Sequence, residues 1–275
     1  MNLVLQGPSL DSTQANSVAR MTGTVFEKIS ENAFRFRNAN RNPSVASWCE
    51  ERHIDHAWVP EGRRFADLRL LALDMDSTLI TIECIDELGE LAGKKPEIAG
   101  ITAQAMRGDI DYTESLQRRV SLLKNLDASA LERVYAERLD LTPGAEILIS
   151  QCKKNGIKVL LVSGGFTFFT ERLKARLGID YTIGNTLAIE AGRLTGKLIG
   201  NIVDADAKAG KFASVLKELR AGKERSVAIG DGANDLKMMA AAGLSVAFRA
   251  KPAVRARADC ALNWSGLDGV LNLFE

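Results

Sequence analysis

The stretch Leu68-Arg69-Leu70-Leu71-Ala72-Leu73-Asp74-Met75-Asp76-Ser77-Thr78-Leu79 limits what this chain can fold into more than any other. Its first half is apolar apart from Arg69, and a short run apolar on both faces suits a strand buried in a parallel sheet. Such sheets bind ligands outside the carboxyl ends of their strands, near a topological switch point. Asp74 falls where the strand should end, and Asp76 follows two residues later on the same side of the turn. One carboxylate can attack an electrophile such as phosphorus, and its neighbour can move a proton for the leaving group. Two close carboxylates repel, so a hard cation held by oxygen ligands is their natural counter-charge. Taken alone, Asp76-Ser77-Thr78 reads about as well as a helix cap, although a cap does not account for the apolar run leading into Asp74.

Strands alternating with helices follow this stretch. Lys158–Val162 reads as a second buried strand ending in Ser163-Gly164-Gly165, with a helix from Phe166 to Leu177. Ser226–Ile229 reads as a third, ending in Gly230-Asp231-Gly232, and Leu244–Phe248 as a fourth. Lys208–Arg220 and Asp235–Ala242 carry helical patterns between them. This alternation indicates an α/β fold with a doubly wound parallel-sheet core, spanning residues 66–275. Residues 84 to about 140 are helical, charged and too long for a simple crossover, so an inserted helical cap over the strand ends is the economical reading. Residues 184–204 alternate around Ala191-Gly192 as in a small inserted hairpin.

Residues 1–65 read as a small N-terminal α+β domain whose role the sequence does not reveal. Leu3–Leu5, Ala33–Arg37 and Ala57–Val59 look like strands, the second half-exposed because apolar and charged residues alternate. Residues 13–21 and a segment from Pro43 through Trp48 look helical. Cys49, His53 and His56 have loosely metal-like spacing, but no second ligand cluster accompanies them, and packing or surface histidines are the stronger reading.

Composition narrows the function classes. With 275 residues, 46% hydrophobic and 26% charged, the chain can bury a sizeable core. A net charge of +1 offers no basic excess, so neither nucleic-acid nor membrane partners are expected. The N-terminus lacks the pattern of a secretory signal, and no apolar run reaches membrane-spanning length. Four scattered cysteines, Cys49, Cys84, Cys152 and Cys260, form no CxxC pair and fit free thiols in a reducing cytoplasm. A cytoplasmic location follows as the expectation. A homo-oligomer is compatible with the sequence but not indicated by it.

Parallel strands would bring Asp74 and Asp76, the Ser163 turn, and Asp231-Gly232-Ala233-Asn234-Asp235 to one sheet edge. Asp74 and Asp231 supply the hard oxygens that Mg²⁺ prefers. The glycines after Ser163 let backbone N–H groups approach an anion, although a plain tight turn is an equally good reading of them. Lys208 could neutralise a transferring phosphoryl group, although alone it would pass for a surface lysine.

Together these segments resemble the haloacid dehalogenase superfamily of phosphotransferases over about residues 68–275. Asp74-Met75-Asp76-Ser77-Thr78, Ser163, Lys208 and Gly230–Asp235 come in that family's order. The resemblance implies an aspartyl-phosphate on Asp74, proton transfer by Asp76, and Mg²⁺ held by Asp74, the backbone carbonyl of Asp76, and Asp231. It further implies Ser163, Gly164 and Lys208 as phosphate binders, with Asn234 and Asp235 supporting the site. Ile82–Glu87, Ala105–Gly108, Ser115–Val120 and Val162–Phe166 resemble its phosphoserine phosphatase branch. In that branch Glu83 would face a substrate ammonium, Arg119 its carboxylate, and Met106 would belong to the closing cap. The implied reaction is hydrolysis of O-phospho-L-serine, the last step of serine biosynthesis. Another small phosphate ester such as phosphohomoserine is the nearest alternative. A non-catalytic phospho-ligand sensor is an alternative of another class, although a sensor needs neither nucleophile nor proton shuttle.

One of these assignments can be examined by helical phase. If residues 112–126 form one helix, Tyr112, Leu116, Arg119, Leu123 and Leu126 fall on one face at steps of three or four. Arg119 then points inward and Arg118 nearly opposite. An inward arginine needs an anionic partner, either a ligand carboxylate or a structural salt bridge with an acid of the same helical segment.

Overall fold

The computed structural model describes residues 1–275 and contains two sheets. The first comprises β1 (Asn2–Gln6), β2 (Phe26–Ser30), β3 (Ala33–Phe36) and β4 (Asp55–Val59), with α1 (Ser12–Thr22) and α2 (Ser44–Glu50) crossing over it. The strands run antiparallel in the order β2-β3-β1-β4. This βαββαβ order is the ferredoxin-like arrangement. Asp11 starts α1 with a capping box to Gln14, and Gly23 ends it in the left-handed conformation.

The sequence suggests a half-exposed strand at Ala33–Arg37, but all four residues of β3 are buried. Leu3, Leu5, Phe34 and Phe36 pack beneath α1 and α2, while Val4, Ala57 and Val59 on the other face join the large core of the second sheet. Arg35 tolerates burial because its guanidinium donates to the backbone carbonyls of Asn272 and Phe274. β2 has no counterpart in the sequence reading.

The second sheet opens with β5 (Leu70–Asp74). Four helices follow: α3 (Cys84–Leu91), α4 (Lys95–Arg107), α5 (Tyr112–Ser121) and α6 (Ser129–Glu137). The chain leaves and re-enters through a narrow neck, where Ile80 bridges Leu141 and Thr142 N–H donates to the Leu79 carbonyl at 3.0 Å. Next come α7 (Ala145–Lys154), β6 (Lys158–Phe166), α8 (Thr167–Leu177), β7 (Tyr181–Glu190) and β8 (Arg193–Ile199). The chain then crosses back through α9 (Ala205–Glu218) to β9 (Ser226–Gly230), α10 (Leu236–Ala241), β10 (Leu244–Phe248), α11 (Pro252–Arg255) and β11 (Cys260–Leu262).

The strand order is β11-β10-β9-β5-β6-β7-β8, parallel throughout except for β8. β5 is therefore central, and the order reverses beside it. Leu71 and Leu73 face the layer that holds α7 and α8, while Leu70 and Ala72 face the layer of α9 and α10. Alternating side chains thus bury both faces of one short strand.

The hairpin forms around Ala191-Gly192, both at positive φ, as a two-residue turn with this twist demands. Its first strand starts earlier than position 184, because Tyr181–Ile183 pair with β6 inside the main sheet. α5 ends at Ser121 rather than continuing to Leu126. Asn125 takes a left-handed conformation and its N–H donates to the Leu194 carbonyl on β8, so a contact distant in sequence ends the helical segment. No helix is long and apolar enough to cross a membrane.

Candidate active site

β5 ends at Asp74, and residues 75–79 then make one wide turn in which Ile80 N–H reaches the Met75 carbonyl at 3.0 Å. Ser77 sits at φ 56 within it, a conformation that non-glycine residues adopt sparingly. The turn brings Asp76 back over the sheet edge. Its Oδ1 accepts from Cys84 N–H at 2.9 Å, and its Oδ2 accepts from Ser163 Oγ at 3.2 Å. Ser163 Oγ in turn accepts from Gly165 N–H at 2.8 Å. A Cβ on Gly165 would stand 2.6 Å from Asp76 Oδ2, so only glycine leaves room for that carboxylate.

Asp74 is held from the other side. Lys208, fully buried on α9, places Nζ 2.5 Å from Asp74 Oδ1 and 2.8 Å from Asp235 Oδ1. The remaining oxygen of Asp235 accepts from Gly232 N–H at 3.1 Å. Both oxygens of Asp235 are therefore engaged, while Asp74 keeps one oxygen free and Asp231 stands half-buried beside it. Carboxylate oxygens of Asp74, Asp231 and Asp235 lie within 4.8 Å of one another.

Charge is badly balanced at this edge. Burial, and then the charge of Asp235, push Asp74 well above the usual carboxylate range despite Lys208. Burial raises Asp76 as well, against its hydrogen bond from Cys84. Burial and Asp235 push Asp231 up to about 6, and burial and Asp76 push Glu83 up to about 7. Burial would lower the Lys208 ammonium, but Asp235 and Asp74 outweigh it and hold it above its ordinary value. One buried ammonium among these carboxylates leaves net negative charge facing a hard-oxygen donor set. That surplus fits a divalent cation between Asp74 and Asp231.

These groups open into a cavity of about 470 Å³ between the sheet edge and the four-helix insert. Asp74, Asp76, Gly164, Asp231 and Asn234 line it from the sheet side, and Glu83, Met106 and Arg119 from the insert side. Glu83 Oε1 accepts from Ser77 Oγ at 2.7 Å. Arg119 is half-buried on the inward face of α5, whereas Arg118 lies outside and pairs with Glu114 at 2.5 Å. Met106 forms the rim, 64% exposed, with Lys251 Nζ 3.8 Å from its sulfur. Ser163, Lys208 and Asp235 lie just behind the wall rather than on it. Cys49, His53 and His56 take no part; Cys49 packs in the core of the first sheet and His53 stacks on Trp264 at 4.2 Å.

The site residues expected from the sequence leave out other lining residues, among them Lys251, Tyr112, Ser115 and Phe166. Lys251 sits in no motif. Tyr112 counts there only as packing, yet its hydroxyl donates to the Gly164 carbonyl at 3.2 Å and ties the insert to the sheet. Ser115 lies one residue from the apolar stripe, and Phe166 ends β6. The phase of α5 could have singled out Tyr112 and Ser115.

The haloacid dehalogenase-like hydrolase family model matches residues 71–240. A phosphoserine phosphatase of Polaromonas sp. is 51% identical over 217 residues, covering 77% of this chain and 92% of that protein. The crystal structure of a probable phosphoserine phosphatase from Vibrio cholerae, in unliganded form, superposes with TM-score 0.85 at 36% identity, over 99% of this chain and 85% of that one. A substrate-bound phosphoserine phosphatase superposes with TM-score 0.71 at 38% identity, over 76% of this chain and 99% of that one. With its sheet order, its paired aspartates and these likenesses, the chain belongs to the haloacid dehalogenase-like hydrolases, on their phosphoserine phosphatase branch.

Proposed function

We propose that this enzyme hydrolyses O-phospho-L-serine to L-serine and phosphate through an aspartyl-phosphate on Asp74. The observation that carries the reading is that one cavity holds Asp74 and Asp76 on one wall and the oppositely charged Glu83 and Arg119 on the other. A phosphorylated zwitterion needs all of these: a nucleophile and proton carrier at the phosphate, an acid for the ammonium, and a forked cation for the carboxylate. The relatives named above act on phosphoserine by name, which points the same way.

Lys208 fixes one oxygen of Asp74, leaving the other to attack phosphorus. Asp76, whose carboxyl burial raises above the usual range, gives its proton to the departing seryl oxygen. The same carboxylate then takes a proton from the water that attacks the aspartyl-phosphate, returning both groups to their starting state. Ser163 orients Asp76, and Asp235 holds Lys208 in place. Gly164 and Asn234 flank the phosphate position, and Met106 shields its entrance from the insert side. Asp74, Asp231 and the Asp76 carbonyl would hold Mg²⁺, which supplies neutralising charge for the phosphate oxygens when bound.

Phosphate release from phosphoserine, phosphohomoserine, phosphoethanolamine and sugar phosphates, each with and without Mg²⁺, tests the reading. Phosphoserine should lead the panel, need the metal, and be inert to Asp74→Asn. A different leading ester, or turnover by Asp74→Asn, would remove the substrate or the nucleophile from the proposal.

A further inference from the structure

Three hydroxyl-bearing side chains line the cavity, and two of them have partners: Thr102 Oγ1 donates to the Ile98 carbonyl at 3.1 Å and Tyr112 to the Gly164 carbonyl at 3.2 Å. The third is Ser115, whose residue is 1% exposed and whose Oγ has no hydrogen-bond partner. Leaving a buried hydroxyl unpaired is unfavourable. A helical serine normally escapes the cost by donating to the carbonyl four residues earlier, but here Asp111 O accepts only the Ser115 backbone N–H, at 3.0 Å. Alanine would also suit a helix better at this position. The chain thus keeps a polar atom where packing and helix propensity both favour its removal.

Its surroundings indicate a ligand group. Ser115 stands one turn before Arg119 on α5, and the Arg119 Nε donates to the Ser115 carbonyl at 3.4 Å, so both side chains rise from the same inward face. Phosphate chemistry belongs at the opposite wall with Asp74, and Glu83 is the acceptor suited to an ammonium. An ionised carboxylate has roughly four lone-pair sites, more than one guanidinium fork fills. A short hydroxyl donor beside that fork can take one of the remaining sites, and the first turn of α5 adds its positive end.

We propose that the Ser115 hydroxyl is a specificity-determining contact, donating a hydrogen bond to the substrate carboxylate alongside Arg119. This rests on the phosphoserine reading above and deepens it.

The experiment compares the full-length wild type with Ser115→Ala on three esters: phosphoserine, phosphoethanolamine, which lacks the carboxylate, and 3-phosphooxypropanoate, which lacks the ammonium. We expect kcat/KM to fall at least about tenfold further on the two carboxylate esters than on phosphoethanolamine, mainly through KM. The melting temperature should hold or rise, since the substitution removes an unpaired group. An equal loss on all three esters, a loss that follows the ammonium instead, or no loss at all overturns the assignment. A wild type that does not turn over phosphoserine sinks the substrate reading and this inference with it. A wild type that does, matched by Ser115→Ala, sinks only the role of Ser115.

Discussion

Arg118 and Arg119 are adjacent in sequence and about 100° apart on the helix rather than nearly opposite, and that rotation is enough to separate a solvent-facing ion pair from a cavity wall. Arg118 is held by Glu114, an exposed i,i+4 pair worth at most a few tenths of a kcal/mol (about 0.3–0.5). Arg119 has only the weak 3.4 Å contact to its own helix and lines the cavity, where the proposed function gives it the substrate carboxylate as partner. Losing a charge-assisted hydrogen bond of this kind costs about 1.5–3 kcal/mol, or roughly ten- to a hundredfold in transition-state binding. Arg119→Ala should therefore lower kcat/KM for phosphoserine by that factor relative to phosphoethanolamine, while Arg118→Ala follows the wild type on both. Steady-state kinetics of the two variants on the two esters decide it; a carboxylate-dependent loss in Arg118→Ala instead would reverse the assignment.

Among the elements, those whose signals are local were legible in the sequence. β5, β6 and β9 announce themselves as short apolar runs, each ending in the polar residues that meet at the cavity. Asp74 and Asp76 could be singled out for the same reason, Arg119 by the resemblance together with helical phase, and Glu83 by the resemblance alone. What escaped depends on partners far along the chain. β3 alternates like a surface strand, but Arg35 finds carbonyls at Asn272 and Phe274. α5 stops at Ser121 because Asn125 is claimed by Leu194. Lys251 and Ser115 reach the cavity only because the insert folds over the sheet. Asp55 on β4 is another such distant contact: its carboxylate accepts from the N–H groups of Asn263 at 2.6 Å, Trp264 at 3.1 Å and Ser265 at 2.8 Å. This cap joins the two sheets, and Asp55→Ala leaves three backbone donors without it. We expect a loss of about 3 kcal/mol or more in urea unfolding, with kcat unchanged at temperatures where the variant stays folded. A loss under about 1 kcal/mol would show that water replaces the carboxylate at little cost.

Across the whole molecule, the charge surplus at the cavity sets how stability answers to pH. Glu83 is raised from 4.5 to about 7 and Asp231 from 3.8 to about 6, both by burial first. Over those intervals the folded chain retains protons that the unfolded chain has released, so stability falls as pH rises through them. His56 works the other way, because burial lowers its imidazole below the usual value. The raised carboxylates outnumber it. The metal-free protein should therefore melt at a lower temperature at about pH 8 than at about pH 5, and Mg²⁺ should restore more at the higher pH, where its ligands are ionised. Calorimetry with and without chelator reads both; a metal-free melting temperature that rises over this interval would contradict the charge surplus. The central place of β5 has a consequence for how the chain is made. β5 is the first strand of its sheet to leave the ribosome and is apolar on both faces, yet β6 follows only after the whole insert, and β9 after the hairpin and α9 as well. Until then it presents two open edges of the kind that pair with the wrong neighbour. Its native pairings are all long-range, which slows their formation. The strand that carries Asp74 is thus also the one left exposed longest during synthesis, and the helical insert, by delaying β6, lengthens that exposure.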